Sequence, residues 1–258
     1  MDNLEKQIRE EICEVGRRTW LKGWVASNDG NISMRLGDRY IITTPTGVSK
    51  GFMTPDMLIK ADMNGNIIDG YLKPSSELKI HLEAYNKRDD VKAFVHAHPP
   101  ISTGYAVANI PLDFKTLPEI IIGLGRIPLA DYGTPSTTEL SDSISELLKC
   151  HDAILLANHG AITVGPDVMA AYYKMESVEH FAVISLTAHQ LGGMTPISEP
   201  NVRKLEQIRD DFGIKIGGSA CLSCGECSGT ESHEQSTENE RSGLIEEITK
   251  KIMKELNG

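Results

Sequence analysis

The sequence predicts a mixed α/β domain in which a sheet is flanked by helices, followed by a flexible tail that ends in an amphipathic helix. Three observations predict it. Apolar runs of strand length alternate with segments of helical periodicity across residues 4–191. No GxGxxG or P-loop pattern is present, which argues against a doubly wound nucleotide-binding sheet. After Ile216 the apolar side chains nearly vanish over residues 217–242, then return at helical spacing in residues 243–258.

Taken in order, Leu4, Ile8, Ile12, Val15 and Trp20 fall at helical intervals, and Gly23 leads out of that helix. The turn Ser27-Asn28-Asp29-Gly30-Asn31 enters a strand with alternating Ile32 and Met34, and a second strand runs from Tyr40 into a hydroxyl-rich loop carrying Thr46 and Gly47. A short strand, the turn Asn64-Gly65-Asn66 and another short strand, Ile67 to Asp69, follow. Leu78, Leu82 and Tyr85 then mark a helix after Pro74, with Ser75 or Ser76 expected as its cap and Glu77 in its first turn. Ala93 to Ala97 reads as a buried strand, Ile101 to Ala108 as a short helix, and residues 117–129 as an apolar segment interrupted by Gly123 and Gly125. Leu140, Ile144, Leu147 and Leu148 share one helical face, a further strand ends at His159 before Gly160, and residues 167–191 make a long helix.

Composition narrows the function. The 258 residues can bury a large core, and a net charge of -10 with no basic stripe argues against nucleic acid as a partner. No apolar run of spanning length occurs, and the amphipathic start does not read as a secretory leader. The five cysteines are odd in number, with Cys221, Cys224 and Cys227 crowded together, so no disulfide framework is expected and the compartment reads as cytoplasmic.

Chemistry concentrates on Ala93-Phe94-Val95-His96-Ala97-His98-Pro99. Two imidazoles at i and i+2 leave one face of a strand, so both can reach one metal ion, and His159 is a third candidate ligand. Three imidazoles would leave Zn2+ an open position, as a catalytic centre requires, with Glu77 the carboxylate to bring beside it. His81, His151, His180, His189 and His233 have no paired partner and read as ordinary histidines. The hydroxyl loop around Thr46 and Gly47 fits either an anion subsite or a plain strand-to-turn junction.

Gly30-Asn31, Thr46-Gly47, Pro74-Ser75-Ser76-Glu77, His96-Ala97-His98 and Asn158-His159-Gly160, in that order over residues 4–216, resemble the class II aldolase/adducin family, most closely its L-fuculose-phosphate aldolase branch. The resemblance implies a central mixed, mainly antiparallel sheet and a homotetramer with sites at subunit interfaces. It also implies Zn2+ on His96, His98 and His159, with Glu77 as catalytic acid/base and Asn31, Thr46, Gly47, Ser75 and Ser76 on the substrate phosphate. The implied reaction cleaves a deoxyketose 1-phosphate, such as L-fuculose or L-rhamnulose 1-phosphate, to dihydroxyacetone phosphate and L-lactaldehyde. A pentulose-phosphate 4-epimerase or a methylthioribulose-1-phosphate dehydratase would use the same triad, whereas adducin-like interaction modules are expected to lack these ligands. The family's better-known aldolases carry tyrosines at the aldehyde end. Here the corresponding regions read Phe114-Lys115-Thr116-Leu117-Pro118-Glu119 and Asp211-Phe212-Gly213, which leaves Glu119 and Tyr132 as substitutes.

The chain thus divides into a catalytic domain (1–216), a Gly/Ser/Glu-rich linker (217–242) and a terminal helix (243–258). In the linker, Cys221, Cys224 and Cys227 have CxxCxxC spacing, three of the four ligands that a second metal or an iron–sulfur cluster needs. Leu244, Ile245, Ile248, Ile252 and Leu256 line one face of the terminal helix, which resembles the encapsulation peptides that dock enzymes on microcompartment shell or cargo proteins.

Overall fold

A computed structural model of the chain describes residues 3–217; the cysteine motif and the terminal helix lie outside the described residues. The helices are α1 (Asn3–Leu21), α2 (Leu78–Lys87), α3 (Pro100–Val107), α4 (Pro118–Gly123), α5 (Thr138–Leu148), α6 (Val168–Gln190) and α7 (Glu199–Asp211). The strands are β1 (Asn31–Leu36), β2 (Tyr40–Thr43), β3 (Ile59–Asp62), β4 (Ile67–Asp69), β5 (Ala93–Ala97), β6 (Leu129–Ala130), β7 (Ala153–Leu156) and β8 (Gly160–Gly165). They form one eight-stranded sheet in the order β4-β3-β2-β1-β5-β8-β7-β6. Every pairing is antiparallel except β6 with β7, so the mixed, mainly antiparallel sheet is present.

Alternation along β5 divides the core into two layers. Ala93, Val95 and Ala97 face Ile8, Ile12 and Val15 of α1 and Met175, Val178 and Phe181 of α6, while Phe94 faces Ile80, Ala84 and Tyr85 of α2 and Ile144 of α5. A strand buried on both faces accounts for the unbroken apolar run around the histidines. The end of β5 is braced from the first of these layers. Buried Glu179 of α6 accepts from the backbone N–H groups of Ile101 and Ser102, placing a carboxylate at the N-terminus of α3 two residues after His98.

Three local expectations change. Glu77, rather than a serine, is the N-cap residue of α2; Ser75 Oγ instead accepts from the Glu77 N–H at 3.2 Å. His159 lies in the turn between β7 and β8, not at a strand end, and the left-handed residue there is Asn158 (φ 57°) rather than Gly160. Helix α7 had no apolar stripe to announce it, because Val202 is its one buried side chain.

Candidate active site

The centre of the sheet, where β1, β5 and β8 run side by side, carries the site. Register explains how it is assembled. Asn31 lies opposite His96 and Ser33 opposite Phe94, so these four side chains share one face of the sheet. Across that face runs α2, whose Glu77, His81 and Tyr85 are spaced i, i+4 and i+8 and therefore descend one side of the helix. The two rows interlock. Asn31 Nδ2 donates to Glu77 Oε2 at 2.7 Å, and His81 Nε2 meets Asn31 Oδ1. His81 Nδ1 meets Ser33 Oγ at 2.6 Å, Ser33 Oγ lies 2.7 Å from the Tyr85 hydroxyl, and the His81 ring stacks on Phe94.

His96, His98 and His159 are, among the described residues, the cluster suited to hold a metal, with ligand atoms within 4.8 Å of one another. His96 Nδ1 donates to Ala161 O at 2.9 Å, which turns its Nε2 toward His98 Nε2, 3.1 Å away. Glu77 spans the group, with Oε2 3.4 Å from His96 Nε2 and Oε1 3.4 Å from His159 Nε2. Burial holds the His96 imidazole well below its usual range, with its two neighbouring imidazoles adding to the effect, and burial lowers His98 likewise. Neutral imidazole is the form that ligates a metal. Gly160 serves this cluster by having no side chain, since a Cβ there would come within 2.5 Å of His98 Cδ2 and 2.7 Å of Ala97 O. Gly30 does the same on the other side: its φ is +72°, and a Cβ would press on Val25 and on His96 O.

Two loops far apart in sequence close over this floor. Thr46 N–H donates to Lys73 O, Ser75 N–H donates to Thr44 O, and Pro45 bridges to Pro74, so the hydroxyl loop and the Ser75-Ser76 segment lie side by side. The resulting cleft of about 180 Å³ is lined by Asn31, Thr46, Ser75, Ser76, Glu77 and the three histidines. Thr46 and Ser76 are exposed at its mouth, while Asn31, Glu77 and His96 are buried at its floor. Gly47, with φ +73°, shapes the loop next to Thr46 but does not itself line the cleft. Glu119 and Tyr132 are exposed and lie outside the lining, which includes no tyrosine.

Sequence reasoning missed three contributors. His81, read as an ordinary helix histidine, is fully buried and belongs to the chain of hydrogen bonds behind Glu77; the available signal was its position one turn after Glu77. Lys50 is buried in the cleft lining, with Nζ donating to Asn28 O and Val48 O at 2.9 Å each. Burial pulls its pKa down to about 8, which still leaves it the cationic side chain of the cleft at neutral pH. Asp29 stands 3.7 Å from His98 Nδ1.

Comparison with known proteins follows the same outline. Residues 10–186 match the class II aldolase and adducin N-terminal domain. The chain is 36% identical over 181 residues to the L-fuculose phosphate aldolase of Methanococcus maripaludis, an alignment spanning 70% of this chain and 97% of that protein. It is 31% identical over 185 residues to the 3-oxo-tetronate 4-phosphate decarboxylase of Escherichia coli, spanning 69% and 86%. Among solved structures, an L-fuculose 1-phosphate aldolase superposes with a TM-score of 0.74 at 26% identity, covering 80% of this chain and 96% of the other.

Proposed function

Because the chain belongs to the class II aldolase and adducin family, we propose that it is a Zn2+-dependent lyase that cleaves a deoxyketose 1-phosphate such as L-fuculose or L-rhamnulose 1-phosphate to dihydroxyacetone phosphate and L-lactaldehyde. The observation that carries this reading is the convergence of three imidazoles and one carboxylate at the floor of a cleft whose mouth bears hydroxyls and a lysine. The donor set fits zinc: three imidazole nitrogens, with one carboxylate beside them left for chemistry. Held by His96, His98 and His159, the ion would supply Lewis acidity to the negative charge that carbon–carbon cleavage leaves on the three-carbon fragment.

The residues of the chain do the rest. Glu77 delivers a proton to the fragment's carbon to give dihydroxyacetone phosphate, and in the synthetic direction removes it. Thr46, Ser75, Ser76 and the second N–H of Asn31 hold the phosphate, with Lys50 supplying positive charge. That remote anchorage orients the scissile bond over Glu77.

A second reading rests on the similarity to the decarboxylase. A decarboxylation releases CO2 instead of an aldehyde, so it needs no acid/base at the aldehyde end, while Glu77 would still protonate the remaining carbon. The deciding experiment follows dihydroxyacetone phosphate release from L-fuculose and L-rhamnulose 1-phosphates, and CO2 release from 3-oxo-tetronate 4-phosphate, with and without a chelator. Chelator-sensitive release from either sugar supports the aldolase; CO2 release alone replaces it with the decarboxylase.

The remaining assignments extend this proposal. Residues 1–216 act as the catalytic domain of a cytoplasmic homotetramer, and residues 217–242 as a linker in which Cys221, Cys224 and Cys227 could hold a second metal or cluster only if His233 or another chain supplied a fourth ligand. Residues 243–258 dock on microcompartment shell or cargo proteins, on the strength of the apolar stripe in their sequence. Among the described residues, no helix is long and apolar enough to cross a membrane. Truncation after residue 216 is expected to leave cleavage intact and abolish co-localisation with shell protein.

A further inference from the structure

We propose that His81 is a positioning residue for the candidate acid/base Glu77, acting through the side-chain amide of Asn31. The inference rests on the reading of Glu77 as the proton-transferring group. Its basis is that every member of the hydrogen-bond chain behind Glu77 is buried and each has a defined role as donor or acceptor.

The polarity of the chain follows from the groups themselves. A carboxylate oxygen only accepts, so the Asn31 atom 2.7 Å from Glu77 Oε2 is the amide nitrogen, and the amide oxygen faces His81. An amide oxygen also only accepts, so His81 Nε2 carries the hydrogen. Burial keeps the ring neutral, which leaves Nδ1 bare to accept from Ser33 Oγ–H, and Ser33 Oγ in turn accepts from the Tyr85 hydroxyl. The other neutral tautomer would turn the Asn31 amide around and set its oxygen against the Glu77 carboxylate, two acceptors at hydrogen-bond distance. His81 therefore fixes which end of Asn31 meets Glu77. With Oε2 so held, Oε1 remains directed at His159 Nε2 and the carboxylate plane stays set across the cleft floor.

Substitution by phenylalanine retains ring volume and the stack on Phe94 while removing both ring nitrogens. In the full-length zinc-loaded protein, His81→Phe is expected to lower kcat about tenfold to a hundredfold, with KM and bound zinc little changed. In an Asn31→Ala background the same substitution should lower kcat no further, because the path to Glu77 is already cut. Losses that multiply across this double-mutant cycle would overturn the proposal. If His81→Phe does not fold, Ser33→Ala, which removes the donor to His81 Nδ1, takes its place in the same cycle. A direct readout needs neither variant nor turnover: in protein labelled with 15N-histidine, the His81 ring, assigned through its cross-peaks to Phe94, must be the Nε2–H tautomer. Finding the Nδ1–H tautomer would refute the positioning role even in an active enzyme. Loss of the proposed function shows separately, as a wild-type protein that releases neither product while retaining the Nε2–H tautomer.

Discussion

The two ends of α2 hold two buried polar networks of opposite design. At its N-terminal end Glu77 leans on Asn31, His81, Ser33 and Tyr85, a line of neutral groups ending in a single carboxylate. Beyond its C-terminal end Arg88 pairs with Asp152 at 2.6 Å and with Asp90 at 2.6 Å, while Lys174 of α6 takes the other Asp152 oxygen, also at 2.6 Å. Arg88 Nη1 also donates to His151 O, just past the end of α5. Burial works against the Arg88 cation, yet Asp90 and Asp152 outweigh it and hold its pKa above the usual range. In this second network every charge is answered by another part of the chain, as suits a junction that locks α2, α5, α6 and β7 together. In the first network Glu77 faces two imidazoles and an amide and, among the described residues, has no lysine or arginine in its ion pairs, so its carboxylate is left to be answered by whatever enters the cleft.

The sharpest way to break this contrast is to neutralise one carboxylate in each network. Glu77→Gln keeps the shape and the acceptor for Asn31, and should cost ~10²–10⁴-fold in kcat with stability within about 1 kcal/mol of wild type. Asp152→Ala should do the reverse: it removes the carboxylate shared by buried Arg88 and half-buried Lys174 and should cost about 3 kcal/mol in urea unfolding, with kcat per folded molecule unchanged. A large stability loss for Glu77→Gln, or a kcat loss for Asp152→Ala, would erase the distinction.

A pH series sharpens it further. Burial holds His81 at about 3, below its ordinary value, so the unfolded chain binds a proton that the folded one refuses. The stability this imidazole permits is fully present above pH ~6.5 and is lost as pH falls toward its folded value. Between pH 6.5 and 4.5, wild type should therefore lose about 2–3 kcal/mol more than His81→Phe in denaturant titrations. Asp90 of the other network should contribute little in that window. Burial alone would raise Asp90, but Arg88 outweighs it and lowers the carboxyl, so its contribution fades only under stronger acid. The smallest effect expected is for Lys174→Met, which leaves Arg88 on Asp152 and should cost about 1–2 kcal/mol.

Much of the site was legible because local periodicity carries it. A two-residue spacing put His96 and His98 on one strand face, and the proline-serine opening of a helix located Glu77 near its N-terminus. What escaped was set by pairing between distant segments. Asn31 reaches Glu77 and His81 only because β1 pairs with β5 in the register that places Asn31 opposite His96. Thr46 neighbours Ser75 only because the loops before and after β3 and β4 bridge at Pro45 and Pro74. Neither pairing leaves a mark in a local window. At Gly160 it is crowding by His98, rather than turn conformation, that excludes a side chain, and that too depends on a distant segment. Helix α7 went unread because a polar helix with one buried residue lacks the apolar period that announces the others.

The placement of the three histidines has a consequence for how the protein comes into being. β5 is bordered by β1 on one side and β8 on the other, so the strand bearing His96 and His98 meets its third histidine only across the later pairing of Phe94 with Val164. A chain still emerging from the ribosome displays two imidazoles long before the third is available, and closing the long loop between them comes at an entropic cost. The cluster therefore forms only after synthesis has passed β8, and a metal ion that needs all three imidazoles would find them together only once the sheet is nearly complete.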